Sequence, residues 1–160
     1  MNKCSEFVLD DLLAVTAIPV NDLQPGTAAW QLQPVIPAGS FSPTLTRAVT
    51  IGLAPATAGG PLIPITRSTG KAKDDTSDSV AGRLHTVKVT CQADDREATA
   101  WRLLRQLELT PSHLLLTFRG GQRAFAQATE DTYLCTVERD GAKTSVSLRV
   151  QNIMGIQLIS

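Results

Sequence analysis

The C-terminal half of the chain alternates between apolar and polar positions, a pattern that is typical of half-buried strands. Residues 84–91 place Val87, Val89 and Cys91 on one face, which predicts the first of these strands. Four further strands are predicted at residues 113–118, 123–128, 132–138 and 143–150, and a last one that alternates weakly at residues 153–159. Asp140–Gly141 between two of them predicts a tight hairpin turn, because Asp-Gly tolerates a positive φ.

A helix interrupts this pattern after the first strand. Asp94 is predicted to cap it, and Glu97 stands where a side chain can reach back to the cap. Apolar side chains then recur at helical spacing, at Ala98, Trp101, Leu104 and Leu107. Pro111 stops the pattern, so we predict a helix over about residues 94–109 with Trp101 in the core.

The composition changes in the region between residues 23 and 66. This region has one charged residue, Arg47, and eight of the nine prolines lie between Pro19 and Pro64. Because proline cannot donate to a β-ladder, we predict short or irregular strands joined by extended loops. The apolar pieces that survive between the prolines lie at residues 30–32, 34–36, 48–51 and 62–65. Residues 67–79 are polar without apolar periodicity and are predicted to form a mobile surface loop.

The order of elements is a strand, a helix and then four or five antiparallel strands. This order predicts a mainly β fold, an antiparallel β-sandwich or barrel with one flanking helix. The length of 160 residues is close to that of one domain. We therefore expect residues 1–160 to form a single domain that includes the proline-rich region and the polar loop.

The charge balance bears on possible partners and on location. The net charge is zero, from 15 basic and 15 acidic residues. Nucleic-acid binders usually show a basic excess or stripe, so we expect no direct nucleic-acid readout. No run approaches the ~18 apolar residues of a membrane helix, and Asp10 and Asp11 interrupt any signal-peptide pattern. We expect no membrane contact and a location in the cytoplasm where the chain is made.

No motif along the chain indicates an active site, a metal site or a cofactor site. His85 and His113 are the only histidines, and neither has a Cys, His or carboxylate at metal-ligand spacing. The acidic pairs are interpreted as hydrated surface or helix cap, at Asp10–Asp11, Asp74–Asp75 and Asp94–Asp95. We therefore expect no catalytic, cofactor-binding or metal-binding residue, no cofactor and no enzymatic activity.

The cysteines, the paired glycines and Trp30 have structural interpretations. Cys4, Cys91 and Cys135 are odd in number and widely spaced, and the last two are predicted to be small apolar residues on strands. Two glycine pairs lack the phosphate-loop pattern, and the second predicts a hairpin turn: Gly59–Gly60 and Gly120–Gly121. For Trp30, core packing and a partner interface both remain open.

The stretch from Gly82 to Ile159 resembles small virion-type proteins carried by phages and prophages of gut Bacteroides-like bacteria. The resemblance rests on the strand at 84–89, the helix around 101–104, and segments 113–121, 128–134 and 151–157. The closest structural analogy is the tail-tube class. Such proteins are β-barrels or sandwiches of about this size with a flanking helix and a long loop, and they stack into hexameric rings.

The resemblance implies a non-enzymatic structural subunit of a phage or prophage particle, most similar to a tail (tube-like) component. Its expected partners are copies of itself, in a possibly hexameric ring, and other virion proteins, so its final location would be the virion tail. Residues 23–79 are expected to supply extended arms that order on contact with a neighbour. The alternative is a small binding module on the same β scaffold that recognises a protein or a small ligand, and an enzyme comes third.

Overall fold

The computed structural model describes residues 6–22, 34–37, 39, 41, 43, 45–56, 59–80, 82–94, 97–141 and 143–159, with the backbone alone at 6–11 and 79. Its elements are β1 (Glu6–Pro19), a 3-10 helix (Val20–Asp22), β2 (Val35–Ile36), β3 (Val49–Gly52), β4 (Leu62–Pro64), β5 (Gly70–Ser79), β6 (Gly82–Ala93), α1 (Ala98–Leu109), β7 (Ser112–Phe118), β8 (Arg123–Ala126), β9 (Tyr133–Asp140), β10 (Lys143–Asn152) and β11 (Ile156–Ile159). This mainly β composition with one flanking helix confirms the predicted fold class.

The strands form a β-sandwich through one continuous path of hydrogen bonds. The order is β2-β11-β8-β7-β1-β5-β6-β10-β9, and β3 and β4 branch from β1. The N-terminal part of β1 pairs with β5, whereas its C-terminal part pairs with β7 and β3. Strand β1 therefore belongs to both sheets. An Ile65–Ala93 bridge joins the chain after β4 to the end of β6.

Strand β1 was not predicted, although it is central. A strand that is buried on both faces shows a continuous apolar run instead of alternation. Val15 and Ile18 are both fully buried, and they lie in two different apolar clusters. Asp10–Asp11, predicted to be hydrated surface, fall where the pairing with β5 shifts register between Leu9 and Leu12. The two acids thus mark a bulge in a strand and not the end of an apolar segment.

The main core lies between the two sheets and is completed by α1. A second apolar cluster forms where the proline-rich region covers the outer side of β7 and β8. Its buried members are Ile18, Ile36, Phe41, Ala48, Leu115, Phe125 and Ile159. Short strands predicted in this region are present as β2, β3 and β4, and Ile51 and Ile63 are buried in the main core. The expectation that this region is a set of arms is therefore wrong for its described part, while residues 23–33 lie outside the described residues.

The prediction of a mobile surface loop at residues 67–79 is wrong, because most of these residues form strand β5. This strand is hydrogen-bonded on both sides, to β1 and to β6. Its inward positions include Ala72, which is fully buried, and Asp74, which is buried and has polar partners. A strand whose inward side chains are small or polar shows no apolar periodicity, and this explains the error.

The predicted helix is present, but its start and its buried face differ from the prediction. It begins at Ala98 with Glu97 at the N-cap, and no side chain caps it. Asp94 instead donates its backbone N–H to the Pro64 carbonyl at 2.9 Å, which extends the pairing of β6 with the chain around β4. The buried helix residues are Ala100, Leu104 and Leu107, and Trp101 is 47% exposed. The prediction that Trp101 lies in the core is therefore wrong.

The other C-terminal strands were predicted to within a few residues. β6 buries Val87, Val89 and Cys91 on one face as expected, and β10 buries Val146 and Leu148. The Gly120–Gly121 pair forms the turn between β7 and β8 with positive φ at both residues. Gly141, also at positive φ, lies in the turn between β9 and β10, so both predicted hairpin turns are confirmed.

Candidate assembly interface

Strand β9 is the last strand in the sheet order of the described residues. It is eight residues long and bonds to β10 along its whole length. Among the residues that the structure describes, no strand pairs with its outer side. At the opposite end of the sheet order, β2 has only two residues. An unpaired edge presents a row of backbone N–H and C=O groups, which is a template for strand addition.

Helix α1 runs along the core face of β9 and fixes the position of this edge. The hydroxyl of Tyr133 donates to the carbonyl of Leu107 at 2.7 Å. Near the other end of the strand, the guanidinium of Arg139 lies 3.8 Å from the ring centroid of Trp101. The helix and the strand therefore run antiparallel, and a contact at each end holds them together.

Exposed apolar and cationic groups flank the β9 edge on both faces. Trp101 and the Arg139 guanidinium form a cation–π pair on the helix side. Leu134 points away from the core on the other side and is 48% exposed. Trp and Arg are enriched at the residues that dominate binding energy in protein interfaces. The edge thus combines main-chain hydrogen-bonding groups with side chains suited to a protein partner.

Sequence reasoning missed this surface, although one signal for it exists. Glu138, Arg139 and Asp140 are three consecutive charges at the end of β9, and all are exposed. Charged side chains are common on strands at sheet edges, and here they lie at one end of β9 and leave residues 133–137 without charge. Three adjacent charges that close a strand therefore indicate an edge strand. Trp30, the other proposed interface residue, lies outside the described residues, as does Cys4.

A cluster of polar side chains connects the β5–β6 hairpin to the start of β11. Asp74 accepts from Nδ1 of His85 at 2.9 Å and, through its other oxygen, from the backbone N–H of Ile156 at 3.0 Å. Thr76 lies opposite His85 in the β5–β6 register, with its hydroxyl 3.3 Å from the same nitrogen. His85 thus has a carboxylate partner on the neighbouring strand, 11 residues away, which its sequence neighbours do not reveal. These hydrogen bonds link β5, β6 and β11, so we interpret the cluster as structural.

Gly155 packs against this polar cluster, so position 155 is sensitive to substitution. A Cβ atom at Gly155 would lie 2.6 Å from Nδ1 of His85 and would also overlap Asp74, at a φ of +70°. We expect Gly155→Ala to lower the free energy of unfolding by ~2 kcal/mol, from backbone strain and from displacement of the partly buried Asp74–His85 pair. Gly141→Ala is the matched control, because Gly141 has a φ of +62° and nothing within 4 Å of its Cβ position.

Urea unfolding of the two variants separates these contributions. Gly141→Ala carries the backbone strain alone and is expected to cost ~1 kcal/mol. Equal losses in the two variants would show that Asp74 and His85 are not held rigidly against Gly155.

The remaining candidate residues have structural positions. Cys91 and Cys135 are free and buried on β6 and β9, which confirms their predicted role as small apolar residues. Burial raises the pKa of each thiol to about 12, so both are protonated and unreactive near neutral pH. Within the described ranges, no three His, Cys, Asp or Glu side chains form a group that could hold a metal ion. None of the described helices is long and apolar enough to cross a membrane.

Comparisons with known proteins give no relative for this chain. No protein-family model, no curated protein and no solved structure matches it. The resemblance to tail-tube proteins therefore stays a prediction, and the proposed function rests on the surface around β9.

Proposed function

We propose that this chain is a non-enzymatic structural subunit that assembles with copies of itself, as a tail (tube-like) component of a phage or prophage particle. The observation that supports it best is the β9 edge, eight residues long and without a described partner on its outer side. A subunit in a ring needs a surface that pairs with its neighbour. A strand edge supplies regularly spaced main-chain hydrogen bonds for that purpose.

Two further properties fit the same proposal. The β-sandwich with one flanking helix is the architecture that the tail-tube resemblance implies. The zero net charge does not oppose the close packing of many copies, because self-repulsion between subunits is small. The occupant of the edge is thus a second copy of the chain, and Trp101, Arg139 and Leu134 would contact it.

A pair of leucine substitutions tests whether β9 is the interface. Leu134→Lys places a charge beside the β9 edge and is expected to weaken self-association at least ~10-fold, since loss of one apolar contact at an interface exceeds ~1.4 kcal/mol. Leu53→Lys is the matched control, because Leu53 is 52% exposed and lies away from β9, just after β3. Sedimentation velocity measures the association, and thermal melting checks that both variants fold.

The two variants should differ in assembly but not in folding. If Leu134→Lys associates as tightly as Leu53→Lys, the β9 edge is not the contact between copies. A loss of folding in Leu134→Lys would instead contradict its position on the outer face of the strand.

A further inference from the structure

The hydrogen-bonded path of strands has two different ends. It begins with β2 and finishes with β9, and among the described residues neither strand has a strand partner on its outer side. A ring of identical copies needs a head-to-tail contact, in which two different surfaces of each copy meet. The outer sides of β2 and β9 are therefore a pair of strand edges that such a contact can join.

The outer side of β9 presents the backbone groups of its odd-numbered residues. The N–H of Gln151 donates to the carbonyl of Thr132 at 3.2 Å, which continues the register between β10 and β9. Backbone groups alternate in direction along a strand, so the even-numbered residues of β9 bond to β10. The N–H and C=O groups of Tyr133, Cys135 and Val137 therefore point outward.

The outer side of β2 presents the backbone groups of Val35. Strand β2 pairs parallel with β11, Val35 lies opposite Leu158, and the N–H of Leu158 donates to the carbonyl of Pro34 at 3.1 Å. In a parallel pair a residue directs both of its groups to the two neighbours of the residue opposite it. The N–H and C=O of Val35 therefore point away from β11, and they are available for two hydrogen bonds to another strand.

The side chains at the two ends are apolar where they would meet. Val35 is 46% exposed and Leu158 is 39% exposed, and the two lie side by side on one face of the sheet. Neither β2 nor β11 contains a charged residue, and β9 has none between Tyr133 and Val137. Contact between these segments buries apolar surface without the cost of burying a charge.

We propose that β2 of one copy adds parallel to the outer edge of β9 of the next copy, with Val35 beside Leu134. In this arrangement Val35 bonds to the outward-pointing groups of Tyr133 and Cys135, and its side chain lies on the same face as Leu134. The contact then contains a row of three apolar side chains, Leu134 of one copy and Val35 and Leu158 of the other.

The parallel direction follows from the position of α1. An antiparallel pair with the same hydrogen-bonding groups would place Val35 directly opposite Cys135 or Val137. These residues lie on the face of β9 that α1 covers, and Cys135 is buried there. Leu134 lies on the other face and is exposed, so the parallel pair is the one that gives Val35 an accessible apolar neighbour.

This contact rests on the proposed function, because it requires that copies of the chain assemble through β9. It adds the second surface and makes the contact head-to-tail, which gives rings where the rotation between copies closes. The alternative is that β9 pairs with β9 of a second copy, which gives a two-fold dimer and makes no use of β2.

A mixture of two blocked variants tests the contact. Val35→Lys changes the β2 end and Leu134→Lys changes the β9 end, so each variant alone should self-associate at least ~10-fold more weakly than the wild type. Each variant keeps the surface that the other has lost. An equimolar mixture should therefore form a species of two chains, with the affinity of the wild-type contact, and nothing larger. Sedimentation velocity identifies the species, thermal melting checks folding, and Leu158→Lys replaces Val35→Lys if that variant does not fold.

The outcomes separate this inference from the proposed function. If Val35→Lys associates as tightly as the wild type and mixing adds nothing, the β2 contact is overturned while assembly through β9 still stands. A wild-type chain that stays monomeric at every concentration would overturn both.

A disulfide between copies tests the register. Val35→Cys and Leu134→Cys are made in separate proteins, since opposite residues on neighbouring strands are about 5 Å apart at Cα, within the range of a disulfide. Under mild oxidation the mixture should give a two-chain band on a non-reducing gel, and neither variant alone should exceed the wild type, which controls for the native cysteines. A two-chain band from Leu134→Cys alone, without one specific to the mixture, would contradict the proposed pairing.

Discussion

Leu104→Ala is expected to lower the free energy of unfolding by ~4 kcal/mol, which is in the upper range for leucine truncation in a packed core. Leu104 has no exposed surface and sits between α1 and the sheet in the main core. Trp101→Ala is expected to cost less, ~1 to 2 kcal/mol, although it removes a larger side chain. The reason is that Trp101 is 47% exposed and its ring lies against the Arg139 guanidinium, outside the core.

Urea unfolding followed by circular dichroism measures both losses without relying on tryptophan fluorescence. Gln106→Ala is the control for helix substitution, because Gln106 is exposed and its replacement should change stability by less than ~0.5 kcal/mol. A loss for Trp101→Ala as large as that for Leu104→Ala would mean that the tryptophan face of α1 packs inward, and the exposed Trp101–Arg139 pair would then be excluded.

Acidification is expected to lower the free energy of unfolding by ~3 kcal/mol through His113 alone. The pKa of His113 is 6.5 in the unfolded chain, and burial lowers it to about 4 in the folded chain. Between these pH values the unfolded chain binds a proton that the folded chain does not. The stabilisation is therefore complete above pH 6.5, declines as the pH falls to about 4, and changes no further below that.

The contribution of His113 is isolated by comparison with His113→Asn. Both proteins lose stability in acid through their carboxylates, but the wild type should lose more across the window from pH 6.5 to about 4. Urea unfolding at intervals of pH gives the difference. Parallel stability curves for the two proteins would show that His113 titrates as it does in the unfolded chain, and NMR titration of the ring provides an independent reading.

The strands that show a clear alternation in the sequence are those with one buried face. In β6 and β10 the inward side chains are apolar, so the alternation is visible in the sequence. β1 is buried on both faces and β5 has Ala72 and Asp74 among its inward residues, so neither shows that pattern. Their identity as strands depends on their partners in the sheet, which no local pattern contains.

The surface around β9 was less predictable than the fold. Spacings that begin at Ala98 or at Ala100 both include Leu104 and Leu107, and the sequence does not show which of them faces the sheet. The position of β9 at the end of the sheet order, among the described residues, is a long-range property. The three consecutive charges from Glu138 to Asp140 are a local indication of an edge strand, and the sequence-based prediction did not use them.

Sedimentation velocity of the wild-type chain over a wide concentration range tests the proposal of self-assembly most directly. Strand addition between copies is bimolecular, so the fraction of assembled chain must rise with concentration. We predict a species several times the 17.1 kDa mass of the chain at high concentration, which dissociates on dilution and is weakened by Leu134→Lys. A single 17.1 kDa species at every concentration would contradict the proposal.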